Sequence, residues 1–112
     1  MKVVMSKQAV DLWEAWVDLQ CVDGSSKGTL FIWGEIYIGN SSTVPFLVKK
    51  KVQEADPSCL YLDLFPYNMA EGGRIAEVRY SEPLTDINKY ETIRICLGED
   101  VLVEITDIEI IG

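Results

Sequence analysis

The chain has 112 residues, with 18 Asp/Glu against ten Lys/Arg, no histidine and a formal charge of −8. That length fits one domain spanning residues 1–112, able to bury roughly two-thirds of its unfolded surface without metal or disulfide staples. A composition of 48% hydrophobic and 25% charged residues excludes a disordered chain, and the negative field disfavours nucleic acid and anionic membrane as partners.

The first eight residues lack the long apolar core and small-residue cleavage site of a secretory signal. Residues 1–11 read as an irregular segment with a short helical turn over 6–11. Residues 12–22 fit two periods. With period two, Trp13, Ala15, Val17, Leu19 and Cys21 share an apolar face opposite Glu14, Trp16, Asp18 and Gln20. With period 3.6, Ala9, Leu12, Trp13, Trp16 and Leu19 make a helical stripe. The strand is preferred, because Asp23-Gly24 then leads into the next run as a hairpin connection.

Residues 29–38 are the clearest strand. Leu30, Ile32, Ile36 and Ile38 fall on one face, and Phe31, Trp33, Glu35 and Tyr37 on the other. Gly34 inside this run signals a bulge or a close backbone approach. Residues 46–53 form a strand whose three successive lysines, Lys49 to Lys51, mark a protected sheet edge. Residues 59–65 are almost continuously apolar, as expected of a central strand, and 66–73 read as a loop.

Residues 74–80 and 90–97 are further strands, separated by an irregular stretch over 81–89. A tight connection at Gly98-Glu99-Asp100 leads to a last strand over 101–111. Its inward face begins with Val101, Val103 and Ile105, and a phase change near Asp107 indicates a bulge. About seven strands with hairpin-like connections and no βαβ rhythm predict an all-β domain: an antiparallel β-sandwich or a small β-barrel.

The residue inventory closes most catalytic routes. Without histidine there is no Ser-His-Asp or Cys-His nucleophile and no imidazole metal ligand. Three cysteines, Cys21, Cys59 and Cys96, form no CxxC. Their odd number fits reduced thiols in a cytoplasmic setting better than a disulfide framework, although one Cys21–Cys59 or Cys59–Cys96 bridge is an alternative. No phosphate-binding glycine loop occurs, and no cofactor or metal is implied. The acids of Glu99-Asp100 and of Glu104, Asp107 and Glu109 have no diagnostic calcium spacing. Paired carboxylates are the one enzymatic scheme left, with Asp63, Glu35 and Glu77 as in-strand acids.

The constellation above background is aromatic. If Trp13 and Leu30 face the core, then Trp16, Phe31, Trp33 and Tyr37 emerge together beside Glu35 on adjacent strands. Tyr and Trp are typical interface anchors. The C-terminal half carries most of the acid: residues 57–112 hold 11 Asp/Glu against four Lys/Arg, while residues 1–56 hold seven against six. If the C-terminal strands share a face, that face is the acidic one. The expected function is a non-enzymatic protein-binding module that takes a basic protein partner or forms a homodimer, by analogy of size and charge an inhibitor or immunity-like protein. A ligand-carrying β-barrel with the same aromatics turned inward is the alternative. A carboxylate-dependent hydrolase ranks third.

Overall fold

The computed structural model describes residues 2–5, 10–22, 25–39, 44–51, 56–65, 70–73 and 75–112. Among them the strands are β1 (Lys2–Met5), β2 (Val10–Val22), β3 (Ser25–Gly39), β4 (Phe46–Lys49), β5 (Cys59–Phe65), β6 (Ala70–Gly73), β7 (Ile75–Leu84), β8 (Thr92–Leu97), β9 (Asp100–Thr106) and β10 (Glu109–Ile111). The first sheet has the order β1-β9-β8-β5-β4. In the second, β10-β2-β3 run side by side, and the far edge of β3 carries β7 and then β6. The two sheets pack as a β-sandwich.

Neither sheet closes into a barrel, and the pairing is mixed rather than purely antiparallel. β5 runs parallel to β8, β10 to β2, and β6 to β3. The hairpin rhythm of the sequence hid this, because successive elements repeatedly change sheets: β1 to β2, β3 to β4, β5 to β6, β7 to β8, and β9 to β10. Parallel neighbours then arise from elements distant in sequence. No helix among the described residues is long and apolar enough to cross a membrane.

The inward faces follow the period-two reading. Trp13, Ala15 and Val17 of β2 meet Leu30, Ile32 and Ile36 of β3, and across the interior they meet Leu60, Leu62 and Leu64 of β5 with Ile93 and Ile95 of β8. Residues 12–22 are strand throughout, and Val10 and Asp11, assigned above to a helical turn, already belong to it. The rest of that turn, residues 6–9, lies outside the described residues. So do the turn residues Asp23 and Gly24, and the side chains of Cys21 and Ile38.

Gly34 is a site of close approach. Its register partner is Trp13, and a Cβ built on Gly34 would stand 2.3 Å from the Trp13 ring. The register slips in β2 between Val10 and Trp13, so the bulge lies on the strand opposite the glycine. Trp13 fills the space that the missing side chain leaves, and its indole Nε1 is buried with no hydrogen-bond partner among the described residues.

β4 is the edge strand expected from the lysine run, and β5 lies internally between β4 and β8. The stretch over 101–111 is two strands in different sheets, not one strand with a bulge near Asp107. Asp107 has φ 54° and turns the chain across from β9 to β10. The slip in β9 comes earlier, where Ile95 faces Val103 but Cys96 faces Val101. It turns Val101 outward, 46% exposed, and buries Leu102 beside Val103 and Ile105. Gly98 has φ 66° at the tight β8–β9 connection, a conformation that costs glycine little.

The corner where β4 meets β7 is closed by a polar network. The Glu82 carboxylate accepts hydrogen bonds from the Tyr80 hydroxyl at 2.7 Å and the Tyr90 hydroxyl at 2.6 Å. Lys49 Nζ stands 3.3 Å from the same carboxylate and donates to the Tyr90 oxygen at 3.0 Å. Burial opposes the charge on Glu82. The hydrogen bonds from Tyr90, Tyr80 and Lys49 outweigh it and hold the carboxyl below its ordinary 4.5.

A carboxyl whose folded pKa is depressed contributes stability above its unfolded value, and loses it as pH falls through the folded one. Glu82→Gln should therefore cost about 1–2 kcal/mol at pH 7, after discounting for the partly exposed Lys49. In urea melts, the gap between variant and native chain should shrink as the pH is taken below 4.5. A gap independent of pH would assign the network no ionic contribution.

Candidate functional site

The outward face of the second sheet is built by alternation on three strands. The cross-strand register sets Glu14, Trp33 and Arg79 in one row, and Trp16, Phe31 and Ser81 in the next. Glu35 and Glu77 form a third row, followed by Tyr37 and Ile75. Trp16, Phe31, Trp33, Glu35 and Tyr37 are thus all brought to one face, and each is half-buried against its neighbours. β10 adds Glu109 beside Trp16 on the other flank.

The Trp16 and Phe31 rings stack at 5.7 Å between centroids, with an interplanar angle of 26°. Trp33 Nε1 donates to Glu77 Oε1 at 2.7 Å, and Arg79 lies 3.3 Å from the same oxygen. These two donors, Trp33 first, hold the Glu77 carboxyl below its ordinary range. The indole is thereby fixed in orientation while its ring face remains available. A shallow depression of about 570 Å³ lies over Trp16, Phe31 and Trp33, with Glu14, Arg79 and Ser81 at its margin.

The face is acidic. Glu14, Asp18, Glu35, Glu77 and Glu109 stand on it against Lys27 and Arg79 among the described residues. This acid comes from both halves of the chain. The condition that the C-terminal strands share a face is not met, because β7 and β10 join the second sheet while β8 and β9 join the first.

Sequence reasoning missed the partners that β7 supplies. Glu77, Arg79 and Ser81 reach the aromatic cluster through the long-range pairing of β7 with β3, and the Trp33–Glu77 bond spans 44 residues of sequence. Local alternation carries no signal for such a pairing. No sheet among the described residues closes into the barrel that would turn the aromatics inward, and Trp16, Phe31, Trp33 and Tyr37 lie outside the core cluster.

Asp63 lies on the outer face of the first sheet, 3.4 Å from Lys50. Glu35 and Glu77 do oppose each other, but a general acid needs a raised pKa, and Glu77 is shifted the other way. Glu104 is held by Arg94 Nε at 2.9 Å, and Arg94 also donates to the Tyr61 hydroxyl at 2.7 Å. No group of three potential metal ligands assembles among the described residues. Cys59 and Cys96 are free and buried, and burial, the main cause, pushes both thiols up and away from reactivity.

The first sheet presents an apolar patch of its own. Phe46, 53% exposed, stacks on Phe65 at 5.8 Å between centroids, beside the exposed Val48. Phe46 pairs with Phe65 across the β4–β5 register, a partner that local alternation does not reveal.

The fold and face together define an all-β sandwich with an acidic aromatic sheet surface. Comparison with protein-family models, curated proteins and solved structures gives no match.

Proposed function

We propose that the protein is a non-enzymatic binding module whose second-sheet face docks a basic protein partner. The observation that carries this reading is the gathering of Trp16, Phe31, Trp33 and Tyr37 on one outward face, rimmed, among the described residues, by five carboxylates and two cations. Large amphipathic rings on rigid strands supply contact area at low entropic cost, and the surrounding charge selects and steers a partner of opposite sign. An inhibitor or immunity-like role is compatible with such a surface, by analogy of size and charge alone.

The test is capture from native lysate with native and Trp33→Ala baits, followed by reconstitution with the purified candidate. A basic protein retained by the native bait, lost by the variant and released by raised salt supports the reading. Equal retention by both baits contradicts it.

A further inference from the structure

We propose that the outer face of the first sheet binds a second copy of the chain, related by a two-fold axis that runs along the strands between β5 and β8. The cross-strand register lays this face out in rows. One row reads Val48, Asp63, Cys96 and Val101 across β4, β5, β8 and β9. The next reads Lys50, Tyr61, Arg94, Glu104 and Val4. Lys50 follows β4 and continues its pairing, with its N–H donating to the Tyr61 carbonyl at 3.1 Å. Phe46 and Phe65 form a further row beyond Val48. Val4, Phe46, Val48 and Val101 are 43–55% exposed. Four large apolar side chains thus face solvent on one sheet, a pattern that marks interaction surfaces.

The order within the rows selects a second copy as the occupant. A two-fold axis in that direction lays β4 of one copy over β9 of the other, and β5 over β8. Val48 then meets Val101, Lys50 meets Glu104, and the Tyr61 ring meets the Arg94 guanidinium, each pair occurring twice. Asp63 comes to lie over Cys96, and Lys50 stands between its own Asp63 and the Glu104 of the second copy. Each row is its own complement, as a closed two-fold interface requires. Sheets that pack face to face keep their strands aligned within about 30°, which this arrangement satisfies. The charges also permit it. Those of the two rows are two cations and two anions, with Lys50 Nζ 3.4 Å from Asp63 and Arg94 Nε 2.9 Å from Glu104. A face neutralised in this way does not repel its own copy, although the chain carries −8. The aromatic face, with five carboxylates against two cations among the described residues, would repel its own copy. The apolar pairs supply affinity and the charged pairs fix the register. Both aromatic faces then point outward, on opposite sides of the pair.

The experiment is analytical ultracentrifugation of the intact chain over a range of concentrations. The native chain should sediment as a reversible dimer. Val101→Ser removes an exposed apolar contact that occurs twice, and should weaken the dimer about tenfold without moving the urea midpoint. Lys50→Glu and Glu104→Lys each set like charges against one another at both contacts, and each should raise the dissociation constant about tenfold or more. Mixed in equal amounts, these two variants restore opposite charges at both contacts, so a heterodimer should form where neither variant pairs alone. A merely structural role for Lys50 or Glu104 would give no such rescue. Trp33→Ala, on the other sheet, should dimerise as the native chain does, whether or not the aromatic face takes a partner. A native chain that stays monomeric at high micromolar concentration, a dimer indifferent to all three first-sheet variants, no heterodimer in the mixture, or a dimer lost with Trp33→Ala would each overturn the proposal.

Discussion

Gly34→Ala should lower the stability of the chain by about 3 kcal/mol, the upper range for forcing an atom into a packed core. The added methyl would sit 2.3 Å from the Trp13 ring, which is itself buried and has no slack to withdraw. The clash is with the middle of a core indole and not with the end of a flexible chain, so β2 or the ring must move. Trp13→Leu makes room and should interact with the first change: the double variant should lose less than the sum of the single losses, by about 1 kcal/mol or more. Urea melts of the four proteins give both numbers. Additive losses would mean that Gly34 is required for some reason other than Trp13.

Trp33→Ala should weaken partner binding by about 2 kcal/mol or more, roughly thirtyfold, while leaving the urea midpoint nearly unchanged. The side chain lies outside the core cluster, so its loss opens no internal cavity. It is central in the face, between Glu14 and Arg79 in its row and next to the Trp16–Phe31 stack. Its removal also takes a hydrogen bond from Glu77. Trp33→Phe keeps a ring but loses that bond, and should fall between the two. Fluorescence anisotropy of the labelled partner against each variant gives the affinities. A large loss of stability with no loss of affinity would make Trp33 a structural residue.

The faces of β2, β3 and β5 were legible because period-two alternation is local. The central position of β5 followed from its almost continuous apolarity, and the outward grouping of Phe31, Trp33, Glu35 and Tyr37 followed from alternation. β1 and β6, of four residues each, were not legible: one was assigned to an irregular segment and the other to a loop. Their strand character comes from partners, β9 for the first and the end of β3 for the second. The division of residues 101–111 between two sheets was hidden for a related reason. A chain that changes sheets and a chain with a bulge both shift the apolar phase by one, and only tertiary pairing separates them.

Half of the aromatic site was legible in the same sense. The rings could be grouped from β2 and β3 alone. The carboxylate that orients Trp33, and the arginine beside it, belong to β7 and enter through long-range register.

Amide hydrogen exchange of the purified protein, alone and with the basic protein that the proposed capture would recover, tests the central claim most directly. The account predicts protection concentrated in residues 14–18, 29–37 and 77–81, with the first sheet unchanged. Protection centred on Phe46, Val48 and Phe65, with the Trp33 segment exchanging as in the free chain, would contradict it.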